Sequence, residues 1–437
     1  MAENIKNQQA ILSKLGIEKL NAMQEEAFNT VTSNAETILL SPTGTGKTLA
    51  FLLPLIDGLN PNIKNIQALI VVPSRELAIQ IEQVIREMGS GYKANAVYGG
   101  RSGSKDKVEL KHPPAILIGT PGRVADHIER ETFEINDIKT LILDEFDKSL
   151  EVGFEEDMKF ILQELSSVKK KVLTSATQKV KIPSFMGLKN PKRINYLTKK
   201  TSNLKIQTVV ANKPDKLDSL EKLLGQVGKG SGIIFCNLKA SIEIVSNFLY
   251  NKKINHGCFS GDLEQLDRER ALIKFRNGTH KILVATDLAA RGIDVPEMDF
   301  IIHYELPTRP DEFIHRNGRT ARMHSNGTAY ILKSQHEELP IFIKDYEELQ
   351  INSIKNIAKS NWNTIHISGG RKDKISKGDI AGLFFKQGNI NKEELGVIEL
   401  KQDCAYVAVS NSNINELINK LNNTKLKKKK VRVSILK

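Results

Sequence analysis

Between residues 38 and 196, short apolar runs alternate with longer stretches in which apolar positions recur every three or four residues. The runs at 38–40, 68–72, 115–118, 141–143 and 172–173 predict buried strands, and the spacing over 75–88 predicts an amphipathic helix. Strand and helix in alternation predict a parallel α/β sheet. A polar stretch, 198–214, then separates this series from a second one, with strand-like runs at 232–235, 282–285, 300–303 and 329–332. The segment 346–360 is partly apolar and reads as a helical linker. Beyond it the pattern predicts a strand at 363–367, a helix at 377–386, strands at 397–400 and 405–409, a helix at 414–421 and a last strand at 430–435, in the order βαββαβ. The expected fold is α/β: two tandem parallel-sheet domains, 1–200 and 201–360, followed by a small α+β domain, 361–437.

Chemistry enters at two of the predicted strand ends. Ser41-Pro42-Thr43-Gly44-Thr45-Gly46-Lys47-Thr48 stands between an apolar run and an amphipathic helix. Glycines there let backbone N–H groups approach phosphates, the helix N-terminus adds a positive dipole, Lys47 reaches the β- and γ-phosphates and Thr48 can ligate Mg²⁺. Alone, such a loop also suits a kinase, a transporter or a GTPase. The run ending at Leu143 leads into Asp144-Glu145-Phe146-Asp147. A carboxylate at a strand's C-terminal end can hold the same Mg²⁺ and its neighbour can polarise water, so the pair points to nucleoside triphosphate hydrolysis.

Charge then narrows the partner. The 437 residues carry 64 Lys+Arg against 51 Asp+Glu, a net +13, and eight of those thirteen charges fall in 361–437. A basic chain with a basic tail fits a polyanion. Cys236, Cys258 and Cys404 are odd in number and form no CxxC pair, which argues against a disulfide framework or a zinc site and fits a reducing cytoplasm. No apolar run reaches the ~18 residues of a membrane span, so a membrane partner is not expected.

Taken in order, the motifs resemble those of the DEAD-box ATP-dependent RNA helicases over nearly the whole chain. Gln24, the phosphate loop, the run from Pro73 to Ala78 including Arg75, Gly99-Gly100, Thr120-Pro121-Gly122-Arg123, Asp144–Asp147 and Ser175-Ala176-Thr177 are followed by Gln265 with Arg268, Ala285-Thr286-Asp287, Arg291-Gly292-Ile293-Asp294 and the run from His315 to Arg322. The resemblance implies two RecA-like domains and RNA-stimulated ATP hydrolysis with Mg²⁺. It gives Lys47, Asp144, Glu145, Arg319 and Arg322 the catalytic roles. Gln24 would read adenine, Ser41, Thr43, Gly44, Thr45, Gly46, Thr48 and Gly292 would line the nucleotide, and Asp294 would touch its ribose. Ser175, Thr177 and His315 would couple hydrolysis to RNA. Arg75, Gly99, Gly100, Thr120, Gly122, Arg123, Arg268, Thr286 and Asp287 would meet RNA, with amides, hydroxyls and cations suited to phosphate and ribose rather than bases. Phe146 departs from the family's alanine, and 1–23 holds no aromatic of the kind that stacks on adenine in the family.

The tail, with Gly369 to Lys374, Lys377 to Gly382, Leu395 to Glu399 and the basic run 428–433, resembles the RNA-binding domain of the DbpA branch. That resemblance implies an RRM-like fold that recognises a 23S rRNA hairpin on pre-50S particles. Cys404 and Tyr406 occupy the places of the usual stacking aromatics, so Arg371, Lys372 and Lys374, with the basic run 425–430, are the expected contacts. The chain is expected to be a cytoplasmic monomer. Three other readings remain beside the rRNA-specific helicase: a general RNA chaperone or ATP-gated clamp, an RNA scaffold with a silent ATP site, and a DNA translocase.

Overall fold

The computed structural model describes residues 5–100, 103–150, 153–177, 182–197, 203–212, 215–228, 230–287, 295, 298–320, 326–351, 357, 359–410 and 413–436. The chain divides into two compact units, one built on Met1–Ser202 and the other on Asn203–Ala290, Val295–Ala321 and Ser325–Lys437.

The first unit is a seven-stranded parallel sheet. Its strands are β1 (Glu36–Leu40), β2 (Ala68–Val71), β3 (Ala94–Val97), β4 (Ile116–Gly119), β5 (Thr140–Leu143), β6 (Lys170–Ser175) and β7 (Lys192–Asn195), in the order β3-β4-β2-β5-β6-β1-β7. β2 and β4 are buried throughout, as strands covered on both faces must be. One apolar cluster includes Phe51, Ile70 and Ile81, and another includes Leu69, Leu141 and Phe146.

The second unit holds another seven-stranded parallel sheet. Its strands are β8 (Asn203–Ala211), β9 (Gly232–Cys236), β10 (His256–Phe259), β11 (Ile282–Thr286), β12 (Phe300–His303), β13 (Asn326–Ser334) and β14 (Tyr346–Glu348), in the order β10-β11-β9-β12-β13-β8-β14. Two expectations need correction. The polar stretch read as a separator contributes the nine-residue β8, in which Leu204 and Ile206 alternate with Lys205 and Gln207 before the run Val209-Val210-Ala211. The segment read as a helical linker opens with β14, an exposed edge strand paired to β8.

The tail in the same unit is an antiparallel sheet of β15 (Asn363–Ile367), β16 (Leu395–Leu400), β17 (Ala405–Val409) and, after a short hairpin of β18 (Lys425–Leu426) and β19 (Lys429–Lys430), β20 (Val433–Ile435), in the order β16-β17-β15-β20. The expected first helix runs as α over Lys377–Gly382 and continues as a π turn over Leu383–Gln387. Ile365, Val407 and Val433 pack with Phe384 and Leu417 on one sheet face. Among the described residues no helix is long and apolar enough to cross a membrane.

Candidate active site and nucleic-acid surface

The strand order of the first sheet sorts the predicted residues into two groups along its C-terminal edge. β1, β5 and β6 are grouped in the order β5-β6-β1, and they end in the phosphate loop, the acidic motif and Ser175. β2, β3 and β4 form the other half, followed by Arg75, Gly99-Gly100 and Thr120 to Arg123. Because every strand is parallel, all these loops emerge on one side, the side where open α/β sheets bind ligands.

In the phosphate loop, Gly46 caps the helix Lys47–Asp57 with φ +83°, and a Cβ there would meet Gln24 Nε2 at 2.5 Å. Gln24 Nε2 donates to the Gly46 carbonyl at 3.3 Å, while its Oε1 accepts from Asn21 N–H at 3.0 Å in a capping box. Asn21 Nδ2 donates to the Thr45 carbonyl at 3.1 Å. The predicted adenine reader is thus held against the loop from below. Ser41 and Thr45 hydroxyls lie 2.8 Å apart, and Lys47 Nζ donates to the Ser41 and Pro42 carbonyls at 2.6 and 2.8 Å. An incoming phosphate competes for that ammonium.

Asp144 and Glu145 are 4 % and 7 % exposed. Asp144 Oδ1 accepts from Glu145 N–H at 3.0 Å and from the Thr174 hydroxyl. Burial first, and the Glu145 charge second, push the Asp144 carboxyl up to about 6, while Thr174 and Lys47 oppose the shift. Glu145 has φ +49° and a buried Oε2 with no hydrogen-bond partner. Two adjoining buried carboxylates, one of them with an unsatisfied oxygen, fit a divalent cation that completes its shell with phosphate and water. Phe146 is 1 % exposed in the apolar cluster under the sheet, so its bulk is absorbed by the core. Thr177 Oγ1 donates to Asp147 Oδ2 at 3.3 Å and Thr177 N–H to Ser175 Oγ at 2.9 Å, which ties the Ser-Ala-Thr motif directly to the acidic motif.

On the other half, a Cβ at Gly100 (φ +83°) would come within 2.6 Å of Arg75 Nη1, so the guanidinium lies on a glycine backbone. Arg123 is already engaged: its Nε and Nη2 donate to Asp106 Oδ2 at 3.0 and 2.8 Å, and Nη1 donates to Asp126 at 3.1 Å. His127 Nε2 also lies 3.2 Å from Asp106 Oδ2, and burial lowers the His127 pKa. Asp106 carried no motif signal and could be found only through this contact.

In the second unit, Arg316 is 1 % exposed and organises four segments. It donates to Asp287 with two nitrogens, to Asn237 Oδ1 at 2.7 Å and to the Glu305 carbonyl at 2.8 Å, over the Phe235 ring. The Asp287 carboxylate is therefore taken up by Arg316. His303 Nε2 lies 3.0 Å from Asn317 Oδ1, and burial followed by the Arg316 charge lowers its pKa to about 3. His315 and Arg319 are buried near the end of the helix Pro310–Asn317, and Thr286 ends β11. The Arg268 guanidinium stacks 5.0 Å from the Phe259 ring. Gly292, Asp294 and Arg322 lie outside the described residues. In the tail, Lys372 pairs with Asp403 at 2.5 Å, Arg371 lies in a single 3₁₀ turn, and Lys374 is exposed with φ +59°.

Comparison with known proteins agrees with this layout. Residues 21–184 match the DEAD/DEAH box helicase family, 215–324 the helicase conserved C-terminal domain and 364–435 the DbpA RNA binding domain. The ATP-dependent RNA helicase DbpA of Bacillus subtilis is 30 % identical over 97 % of this chain and 96 % of its own length; that of Escherichia coli is 29 % identical over 98 % and 96 %. The solved structure of S. cerevisiae Dbp5 bound to RNA and ADP BeF3 covers 76 % of this chain and 89 % of its own at 28 % identity, with a TM-score of 0.68. With two RecA-like sheets, a phosphate loop beside a buried carboxylate pair and a DbpA-type tail, the chain belongs to the DEAD-box ATP-dependent RNA helicases of the DbpA type, enzymes whose ATP hydrolysis is stimulated by RNA.

Proposed function

We propose that this helicase locally separates strands in structured RNA, and that its tail directs it to a 23S rRNA hairpin on pre-50S particles in the cytoplasm, where it acts as a monomer. The observation that carries the target is the match of 364–435 to the DbpA RNA binding domain, joined to a core whose RNA-side residues offer little base-reading chemistry. The working division is 1–200 for ATP binding, 201–360 for the second helicase domain and 361–437 for RNA selection.

In this reading Lys47 leaves its loop carbonyls for the β- and γ-phosphates. Thr48 and Asp144 would hold Mg²⁺, which supplies charge compensation on those phosphates. Glu145 orients the attacking water through the buried oxygen that lacks a partner. Arg319 and Arg322 meet transition-state charge, and because they belong to the other helicase domain, hydrolysis depends on ATP and RNA drawing the two domains together. The Thr177 to Asp147 contact supports a coupling role for Ser175, Thr177 and His315. Asp294 and Gly292 serve the nucleotide. Arg75, Gly99, Gly100, Thr120, Gly122, Arg268 and Thr286 hold the RNA backbone, with Arg123 and Asp287 shaping that surface from their ion pairs.

The test is the ATPase rate at fixed salt with a 23S rRNA fragment bearing the peptidyl-transferase-centre hairpin, with an unrelated RNA of equal length, and with none. Selective stimulation by the hairpin supports the proposal. Equal stimulation by both RNAs makes a general RNA chaperone the better reading, and no phosphate release with saturating RNA leaves an RNA scaffold.

A further inference from the structure

A free-standing sheet of the tail's kind buries one face on its helices and leaves the other to solvent. Here the second face is also covered. Along β17, Tyr406 and Ala408 alternate with the core residues Val407 and Val409, yet they are 6 % and 2 % exposed, and Thr364 on β15 is 1 % exposed. What covers Tyr406 is the helix Gln265–Arg276: Ile273, fully buried, packs with Tyr406 and Leu436, with Cys404 beside them.

That helix carries two stripes. Arg268, Leu272 and Phe275 are buried, with Arg268 against Phe259 of its own sheet, while Glu269, Ile273 and Arg276 follow the same four-then-three spacing one position on and meet the tail. Arg276 Nε and Nη2 donate to the two oxygens of Glu399 at 2.7 Å each, the bidentate geometry that makes such pairs strong and directional. Lys401 Nζ lies 2.7 Å from Glu269, the Thr279 and Thr364 hydroxyls are 2.7 Å apart, and Ser360 Oγ donates to the Gly278 carbonyl at 2.5 Å. Burial raises the Tyr406 phenol well above its ordinary value, and lowers His366, whose ring centroid is 5.5 Å from that of Tyr406.

We infer that the outer face of the tail sheet is a docking surface for the Gln265–Arg276 helix rather than a base-stacking platform, and that this contact makes the tail and the second helicase sheet one body, so that RNA gripped by the tail is held at a fixed position relative to the predicted RNA contacts of that sheet. The helix that receives the tail also carries Arg268, so a load on the tail reaches that predicted RNA contact through one rigid element.

The second half of this inference rests on the proposed hairpin recognition, and the experiment separates the two. Arg276→Glu and Glu399→Arg each place like charges face to face; the double variant restores an opposite pair. The sequence has one tryptophan, Trp362, which reports on the joint directly: a Cβ at Gly278 would be 3.5 Å from its ring, and one at Gly396 2.9 Å. In the full chain, each single variant should red-shift Trp362 emission and speed amide exchange in 265–276 and 405–409, and the double variant should restore both. Hairpin affinity and RNA-free ATPase should stay within about twofold, while unwinding of a duplex flanking the hairpin falls at least about fivefold in the singles and recovers in the double. Unchanged emission and exchange in the singles would overturn the docking. Undocking with undiminished unwinding would overturn its mechanical role. Absence of hairpin preference in the unmodified chain would count against the rRNA reading, with the emission and exchange results still deciding the docking.

Discussion

Asp144→Asn separates the energetic cost of the acidic motif from its chemistry. Asp144 is 4 % exposed, and burial, with Glu145 next to it, pushes its carboxyl up to about 6 from an ordinary 3.8. In the unfolded chain the same group titrates near the lower value, so the folded protein holds the proton more tightly and ionisation destabilises it. The penalty is absent below about pH 4, grows between about pH 4 and 6 and is complete above, reaching ~3 kcal/mol. Asparagine keeps an oxygen for Glu145 N–H and the Thr174 hydroxyl and removes the charge. Without nucleotide at about pH 7.5, the first unit of the variant should therefore be more stable by ~3 kcal/mol, or several degrees of melting temperature, while hydrolysis collapses. Amide exchange of Thr140–Leu143 reads that unit separately from the rest, and a pH series reads the sign: the unmodified unit should lose stability from about pH 4 to 6 relative to the variant. A variant less stable at neutral pH, or two pH profiles that stay parallel, would refute the assignment of a destabilising buried charge.

Other expectations follow from single contacts. Glu145→Gln should keep ATP and RNA bound and slow hydrolysis by about 100-fold or more, measured in single turnover, since only the carboxylate proposed to orient the water changes. Gly46→Ala forces a side chain onto φ +83° and into Gln24 Nε2, so ATP affinity should fall at least about tenfold in a nucleotide-binding titration, with the RNA-free fold retained. Arg316→Ala leaves Asp287 without its buried partner and should destabilise the second sheet by about 3–5 kcal/mol, read as denaturant-dependent exchange in Phe300–His303.

The nucleotide half of the site was legible because the loop and the carboxylates directly follow buried strands, and strand order brings those ends together. β8 was hidden because its alternation of Leu204 and Ile206 with Lys205 and Gln207 is short and set between the polar runs 198–203 and 212–214, and β14 because Tyr346, Glu347 and Glu348 are all exposed and carry no apolar signal. Partnerships between distant residues were equally hidden. Arg123 and Asp287 stood in motifs as RNA contacts, yet which carboxylate or guanidinium each would face depends on helices folding back onto their strands. Tyr406 could be placed on the outer sheet face from its alternation, but its cover, a helix whose two stripes blur into one polar-looking pattern, could not.

With that face covered, the loops are the part of the tail left open to RNA in the proposed reading, and the pairing pattern narrows which cations are available. Lys372, Lys427 and Lys429 sit within reach of Asp403, Asp379 and Asp373 at 2.5, 2.8 and 2.7 Å. Lys374, Lys377 and Lys428 are exposed, and the Lys374 carbonyl accepts from Lys427 Nζ at 2.7 Å, which brings the first loop and the terminal hairpin side by side. Replacing all three by glutamate should weaken hairpin binding and flatten the dependence of log affinity on log salt by about two, since each phosphate contact contributes ~0.7–0.9 to that slope. Far-UV spectra and Trp362 emission should not change, because none of the three touches the docked face. A preserved slope with intact affinity would move recognition away from these loops and back toward the covered sheet.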